Sequence, residues 1–381
     1  MGIHNAGPTL PLNPDRHAQF KEKARDGIDA GEAIDASLSA RSSAQMPGVD
    51  DVFEVENKGK KVRFAQLALT ETSKLPENSG EYSKRDLVQG TTMTIDDYDT
   101  QDLDDGLSFR KNDDGSMTVG VSVADVAAWV RPGSALDHAA RKRVNSQYIH
   151  DMVVPMLPLP LSEDLLSLHG GQRRLAKTVE MTFSPDGELL GTDIQRTVFY
   201  NANRLNTGDA EKIRQSDYHG HQDLKGVLNQ MCHLAAKIKS QGQSGEKDSL
   251  GVKRMLETFI TQSCKALGHE LAEAGISTSY RNQVEKNSKS TYDAEPLGHA
   301  SVGAEAYVQW TSPIRRYADL DVHRAMGRLI DGKGPREGRV RELDQQMRHT
   351  QLERANKGPG KSYRFVDLLV DTMKANQVDS K

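Results

Sequence analysis

Apolar and polar residues alternate along two short runs, Gly106–Phe109 and Met117–Val123, which flank the turn-rich tetrad Asn112-Asp113-Asp114-Gly115. A period of two on either side of such a turn predicts a β-hairpin. The period lengthens further on. Leu256, Phe259, Ile260, Cys264, Leu267 and Leu271 recur at helical spacing, so one apolar stripe faces a core, and Ser249 stands upstream as a cap. A second amphipathic helix is expected over Asp319–Ile330, after a Ser-Pro turn. Beyond it, Asp331-Gly332-Lys333-Gly334-Pro335 reads as a linker to helices around 339–356 and 363–373. Near the start the pattern fades. Residues 1–50 are rich in Ala, Ser, Asp and Gly without periodicity, which predicts a disordered arm. Residues 51–84 form a short β-prone lead-in carrying the patch Val62–Leu67, too little for a complete barrel.

Just before the hairpin, Asp96, Asp97, Asp99, Asp102, Asp104 and Asp105 put six carboxylates into ten residues. Neighbouring carboxylates resist joint ionisation, so a compensating cation is expected. A solvated acidic loop is the plain alternative. A helix-loop-helix calcium site fails on register, because with Gly106 at the turn the ligand places fall on Gln101, Leu103 and Asn112. Asp102, Asp104 and Asp105 can converge from one bend, and Asp96 can join them from the preceding strand. Hard oxygen ligands suit magnesium or manganese rather than zinc. Two such ions roughly 4 Å apart can drive phosphodiester cleavage. The acidic cluster alone does not select that chemistry.

More than two hundred residues later stands Thr311-Ser312-Pro313-Ile314-Arg315-Arg316-Tyr317. A guanidinium fork binds phosphate and can neutralise charge in a transition state, although an isolated pair at a helix start serves equally as a salt bridge. Acidic ligands and paired arginines together suit hydrolysis of a polyanion.

These two segments resemble the signature blocks of the ribonuclease II/R family's catalytic (RNB) domain. Val123-Ala124-Asp125-Val126, Arg143 through Tyr148, Pro155-Met156-Leu157-Pro158, Leu161-Ser162, Gly298-His299 and Tyr307 resemble further blocks in the family's order, from about Arg85 to Leu329. The resemblance implies an α+β fold, a mixed sheet surrounded by helices, over residues 85–375. It implies that Asp96, Asp102, Asp104 and Asp105 hold magnesium (or manganese), with two ions favoured. Arg315 would contact the scissile phosphate, with Arg316 as an additional RNA contact. Tyr148 would seat the 3′ end and Glu257 would lie near the last nucleotide. The implied activity is 3′→5′ hydrolysis of single-stranded RNA to nucleoside 5′-monophosphates.

Departures from the family's pattern bear on substrate handling. Asn206-Thr207-Gly208 follows Asn203-Arg204-Leu205 where a tyrosine is usual. Gln283 and Ser122 stand where histidines are common, and Ser263 where an asparagine is. The segment between Gln283 and Gly298 is shorter than the family's helical insert. The cold-shock and carboxy-terminal OB-fold domains of typical relatives are not recognisable here. Two other readings therefore stay open: a processing nuclease for one structured RNA such as tRNA, and a non-catalytic RNA-binding protein on the same fold.

Composition changes the picture little. The net charge of −4 is unusual for a nucleic-acid binder, but 15 Lys/Arg against 11 Asp/Glu from Val302 onward leave a basic excess there. No long apolar run or signal-like start occurs, so no membrane partner is expected. The two cysteines, Cys232 and Cys264, make a disulfide scaffold unlooked-for. The expected location is cytoplasmic, with a secreted bacterial effector as the alternative.

Overall fold

Strand-forming alternation and two long apolar helix stripes generate a mixed α+β architecture in the computed structural model, which describes residues 52–57, 60–73, 75, 79–149, 152–215, 222–240 and 250–334. The chain divides at Glu77/Asn78 into two compact units. In the first, β1 (Val52–Asn57) and β2 (Lys60–Ala65) form an antiparallel hairpin, followed by helix α1 (Gln66–Ser73). The β-prone patch was expected to run through Leu67. Instead the strand stops at Ala65, and Gln66 and Leu67 open the helix. The arm at 1–50 and the helices expected around 339–356 and 363–373 lie outside the described residues.

The second unit opens with α2 (Ser79–Tyr82), then β3 (Asp86–Leu87), β4 (Thr91–Ile95), β5 (Asp105–Lys111) and β6 (Met117–Ala124). After α3 (Ala135–Arg143) come the small hairpin β7 (Gln147–Ile149) and β8 (Met152–Val154), then the long strands β9 (Arg173–Phe183) and β10 (Leu189–Tyr200), and β11 (Asn203–Leu205). Seven strands form one sheet in the order β11-β4-β5-β6-β9-β10-β3, antiparallel inside and parallel at both outer joins. The hairpin expected around Asn112–Gly115 is β5/β6, closed by Asn112 N–H to Ser116 O at 2.9 Å and Gly115 N–H to Asn112 O at 3.0 Å.

Helices α4 (Thr207–Gln215), α5 (Gln222–Ser240), α6 (Val252–Glu273) and α7 (Tyr317–Ile330), with the hairpin β12 (Tyr280–Asn282) and β13 (Thr291–Asp293), complete the unit. Val119, Val121, Val179 and Met181 from the sheet share one core with Met231, Phe259, Leu267, Leu271 and Met326 from the helices. The stripe read on α6 is buried at Phe259, Cys264, Leu267 and Leu271, and only partly at Leu256 and Ile260. Its cap is not the expected Ser249, which lies outside the described residues. Gly251 occupies the cap position with no side-chain hydrogen bond, and Glu211 of α4 accepts the first free amide, from Val252, at 3.0 Å. Gly268 lets α6 touch the chain: a Cβ there would meet the Ala306 carbonyl oxygen at 2.9 Å.

A buried charge knot fastens α7 to the sheet. Asp125, just after β6, pairs with Arg85 at 2.8 Å and with Lys177 of β9 at 2.9 Å. Lys177 donates to the His323 carbonyl at 2.8 Å, and the His323 ring bonds the Trp310 carbonyl at 2.9 Å. Burial alone would raise the Asp125 pKa, but the two cations hold it down at about 2. Burial, with the Lys177 charge adding to it, depresses His323 to about 3, so that ring is neutral.

Candidate active site

The acidic loop hangs between the end of β4 and the start of β5. Asp96 follows the last residue of β4, and its amide donates to Leu205 O on β11 at 3.2 Å. Asp97, Tyr98 and Asp99 form the exposed tip. Leu103, fully buried, pins the returning limb into the core, with Asp102 partly buried before it and Asp104 buried after it. Asp105 begins β5 opposite Val123. The next residue must be glycine for space: a Cβ on Gly106 would lie 2.5 Å from the Phe199 ring.

Folding brings the second segment onto this loop. The Ile314 amide donates to Asp104 Oδ1 at 2.9 Å, and Arg315 Nε stands 3.4 Å from Asp104 Oδ2. Arg315 remains 39% exposed and donates to Ser312 Oγ at 2.8 Å, so its free edge faces solvent beside the carboxylates. Arg316 is committed elsewhere. It pairs at 2.6 Å with the fully buried Asp319, whose same oxygen accepts the Ser312 amide at 2.9 Å. Burial works against the Arg316 charge, but Asp319 raises its pKa. The adjacent arginines thus split: one faces the acidic loop, the other pairs with Asp319 in the first turn of α7.

Residues 144–146 brace the arginine block. Tyr317 N–H donates to Val144 O at 2.8 Å, and Ser146 N–H to Arg315 O at 2.9 Å. Val144 takes φ 68° and ψ −47° at the centre of a γ-turn closed by Asn145 N–H to Arg143 O at 2.7 Å. That turn is strained for a β-branched residue. Tyr148 follows on β7, paired with Val153, and its side chain lies outside what the structure describes. Glu257 is on the exposed side of α6, and no hydrogen bond or ion pair joins it to the acidic loop.

The carboxylates are electrostatically uncomfortable as they stand. Burial, then the Asp105 charge, pushes Asp96 up to about 7, with Arg204 opposing. Burial raises Asp105 to about 6 against Arg315 and Arg316. Asp104 is raised well above the carboxylate range by burial, and neither Arg315 nor the Ile314 amide offsets it. Asp96 Oδ2 and Asp104 Oδ2 are buried without a hydrogen-bond partner. Orphaned, mutually repelling hard oxygens are the donor set a magnesium-like cation stabilises. Among the described residues no three acidic, histidine or cysteine side chains converge into a preformed cage, so an ion would have to draw these oxygens together.

Sequence reasoning passed over Ser167 and Arg204, which hold the loop's main chain, and Asn201, which ties Thr94 of β4 to Leu168. Only Arg204 sat in a segment singled out for another reason. Nothing in the pattern Leu166-Ser167-Leu168 marks a serine that contacts residues more than sixty positions away.

Comparison with known proteins gives a consistent answer. The RNB domain model matches residues 84–259 and 253–332. Ribonuclease R of Chlamydia trachomatis is 26% identical over 64% of this chain and 46% of its own length. The chain spans about half the length of the curated relatives it matches. Among solved structures, Mycoplasma genitalium RNase R in complex with ribose-methylated single-stranded RNA superposes with a TM-score of 0.65 at 20% identity, covering 80% of this chain and 59% of that one. Yeast Ssd1, described as a pseudonuclease, gives a TM-score of 0.60 at 16% identity, covering 73% of this chain and 44% of that one.

Proposed function

The chain belongs to the RNB family, and from that membership and the meeting of Asp104 with Ile314 and Arg315 we propose that it is a metal-dependent hydrolytic ribonuclease. The favoured mode is 3′→5′ removal of nucleoside 5′-monophosphates from single-stranded RNA. The carrying observation is that contact: the most buried carboxylate of the loop touches Arg315, the more exposed arginine of the pair.

Asp96, Asp102, Asp104 and Asp105 would hold the ions, magnesium or manganese. When bound, such ions supply a water nucleophile at neutral pH and offset charge on the leaving oxygen. The chain's own residues do the rest. Arg315 lies where a phosphate beside Asp104 would meet its free N–H groups, and it takes up negative charge that grows on the phosphoryl oxygens. The Ile314 amide fixes Asp104 Oδ1, leaving Oδ2 beside Arg315, where it would be available to an ion. Leu103, below the loop, keeps water from undercutting it. Tyr148 and Glu257 are assigned to the terminal nucleotide on the family's pattern alone, and Arg316 pairs with Asp319 at the start of α7.

The test uses 5′-labelled single-stranded RNA with magnesium or EDTA, beside Asp104→Asn. A ladder shrinking from the 3′ end, absent with EDTA and in the variant while RNA is still bound, supports the reading. Discrete fragments from one structured RNA would instead favour processing at a defined place. Metal-independent turnover, or turnover retained in Asp104→Asn, would sink the metal-site assignment.

A further inference from the structure

A buried polar clasp behind the acidic loop holds its two limbs in register. The Ser167 hydroxyl, on a fully buried residue, donates to Gln101 O at 2.6 Å and accepts the Leu103 amide at 3.1 Å. It thereby brackets Asp102 from both sides. Leu168 N–H adds a bond to Leu103 O at 3.0 Å, one residue before Asp104. Arg174 Nε holds the Ser167 carbonyl at 3.1 Å, so the serine cannot drift.

Asn201 ties this clasp to the other limb. Its Nδ2 donates both to Leu168 O at 2.8 Å and to Thr94 Oγ1 at 2.9 Å, and Asn201 and Thr94 are fully buried. Thr94 lies on β4 two residues before Asp96. A continuous chain of hydrogen bonds therefore runs from the Asp96 limb through Asn201 and Leu168 to the Asp102–Asp104 limb. The serine hydroxyl both donates and accepts here, on a fully buried residue.

We propose that Ser167 is a positioning residue that sets the distance between the Asp96 and Asp102–Asp104 carboxylates, and with it the loop's affinity for a divalent cation. The inference rests on the metal-dependent reading above. Because the carboxylates repel one another and no preformed cage exists among the described residues, the main chain must supply the geometry that side chains alone resist. Loss of a group that orients metal ligands from behind typically weakens metal affinity 10–100-fold.

The experiment measures Mn2+ binding to the full chain by electron paramagnetic resonance, with RNA binding and thermal stability read in parallel. Ser167→Ala should bind Mn2+ at least about tenfold more weakly. Its RNA cleavage should be low at limiting magnesium and recover as magnesium is raised, and RNA binding should be unchanged. Thr94→Val preserves shape while removing the acceptor for Asn201. It should weaken Mn2+ binding in the same direction, and it carries the test if Ser167→Ala does not fold. A folded variant with wild-type Mn2+ affinity, or an activity loss that magnesium does not restore, overturns the proposal. If the wild-type chain itself binds no Mn2+, the metal-dependent reading fails before Ser167 is judged.

Discussion

Acid should weaken this fold through His323, and the size follows from its burial. The ring is completely buried between α7 and Trp310, 5.7 Å from the indole centroid, with the Lys177 ammonium bonded to its own carbonyl. Its pKa is depressed to about 3, against about 6.5 in an unfolded chain. The unfolded state therefore takes up a proton below pH 6.5 that the folded state refuses. Stability contributed by the neutral ring is complete above pH 6.5 and falls by about 1.4 kcal/mol per pH unit below it. By pH 5 the loss is about 2 kcal/mol, and it would approach about 5 kcal/mol near pH 3. Asp96 and Asp105, whose pKa values are raised, act in the opposite sense over the same window, so the comparison must be between proteins. His323→Gln can keep a donor for Trp310 O but has no proton to gain. Urea unfolding of both proteins from pH 7.5 to pH 4.5, with EDTA present, should give curves that converge as pH falls. Parallel curves would refute the linkage, whatever the constant offset from lost packing.

Four further substitutions test the backbone. Val144→Gly relieves the strained turn while losing a buried side chain, two effects of about 1–3 kcal/mol each, so its net cost in chemical denaturation should stay within about 1 kcal/mol. Val121→Gly, in an ordinary strand position, should cost at least about 2 kcal/mol more; equal costs would argue that Val144 is unstrained. Gly268→Ala must push against the Ala306 backbone and should lower stability by about 1–3 kcal/mol despite alanine's higher helix propensity. Gly226→Ala in α5, where a Cβ meets nothing within 4 Å, should raise the melting temperature, and a rise for both would refute the steric argument.

What the sequence revealed tracks where physical chemistry acts locally. The β5/β6 hairpin and the α6 stripe were legible because each buries one face, which imprints a period. The acidic run and the arginine block were legible because their composition is costly without a purpose. Strands β9 and β10 were not, since Lys177, Thr178 and Thr197 are buried in mid-strand and break the alternation. Their partners, Asp125, His323 O and Ser122, are remote in sequence. The pairing of Arg316 was hidden for the same reason. Its neighbour Arg315 and its partner Asp319 are both in plain view, and only three dimensions decide which arginine is free to meet a phosphate. Ser167 illustrates the general limit: a hydroxyl that bonds two main-chain groups leaves no pattern in the string of letters.

The hydrogen bond from Ile314 to Asp104 closes a loop of 210 residues. A ribosome delivers the acidic segment long before the arginine block exists, so a half-made chain carries the ligands without the backbone donor that orders them. The proposed nuclease activity would therefore wait on docking of the segment around Ile314, and synthesis of the acidic loop alone would not supply it.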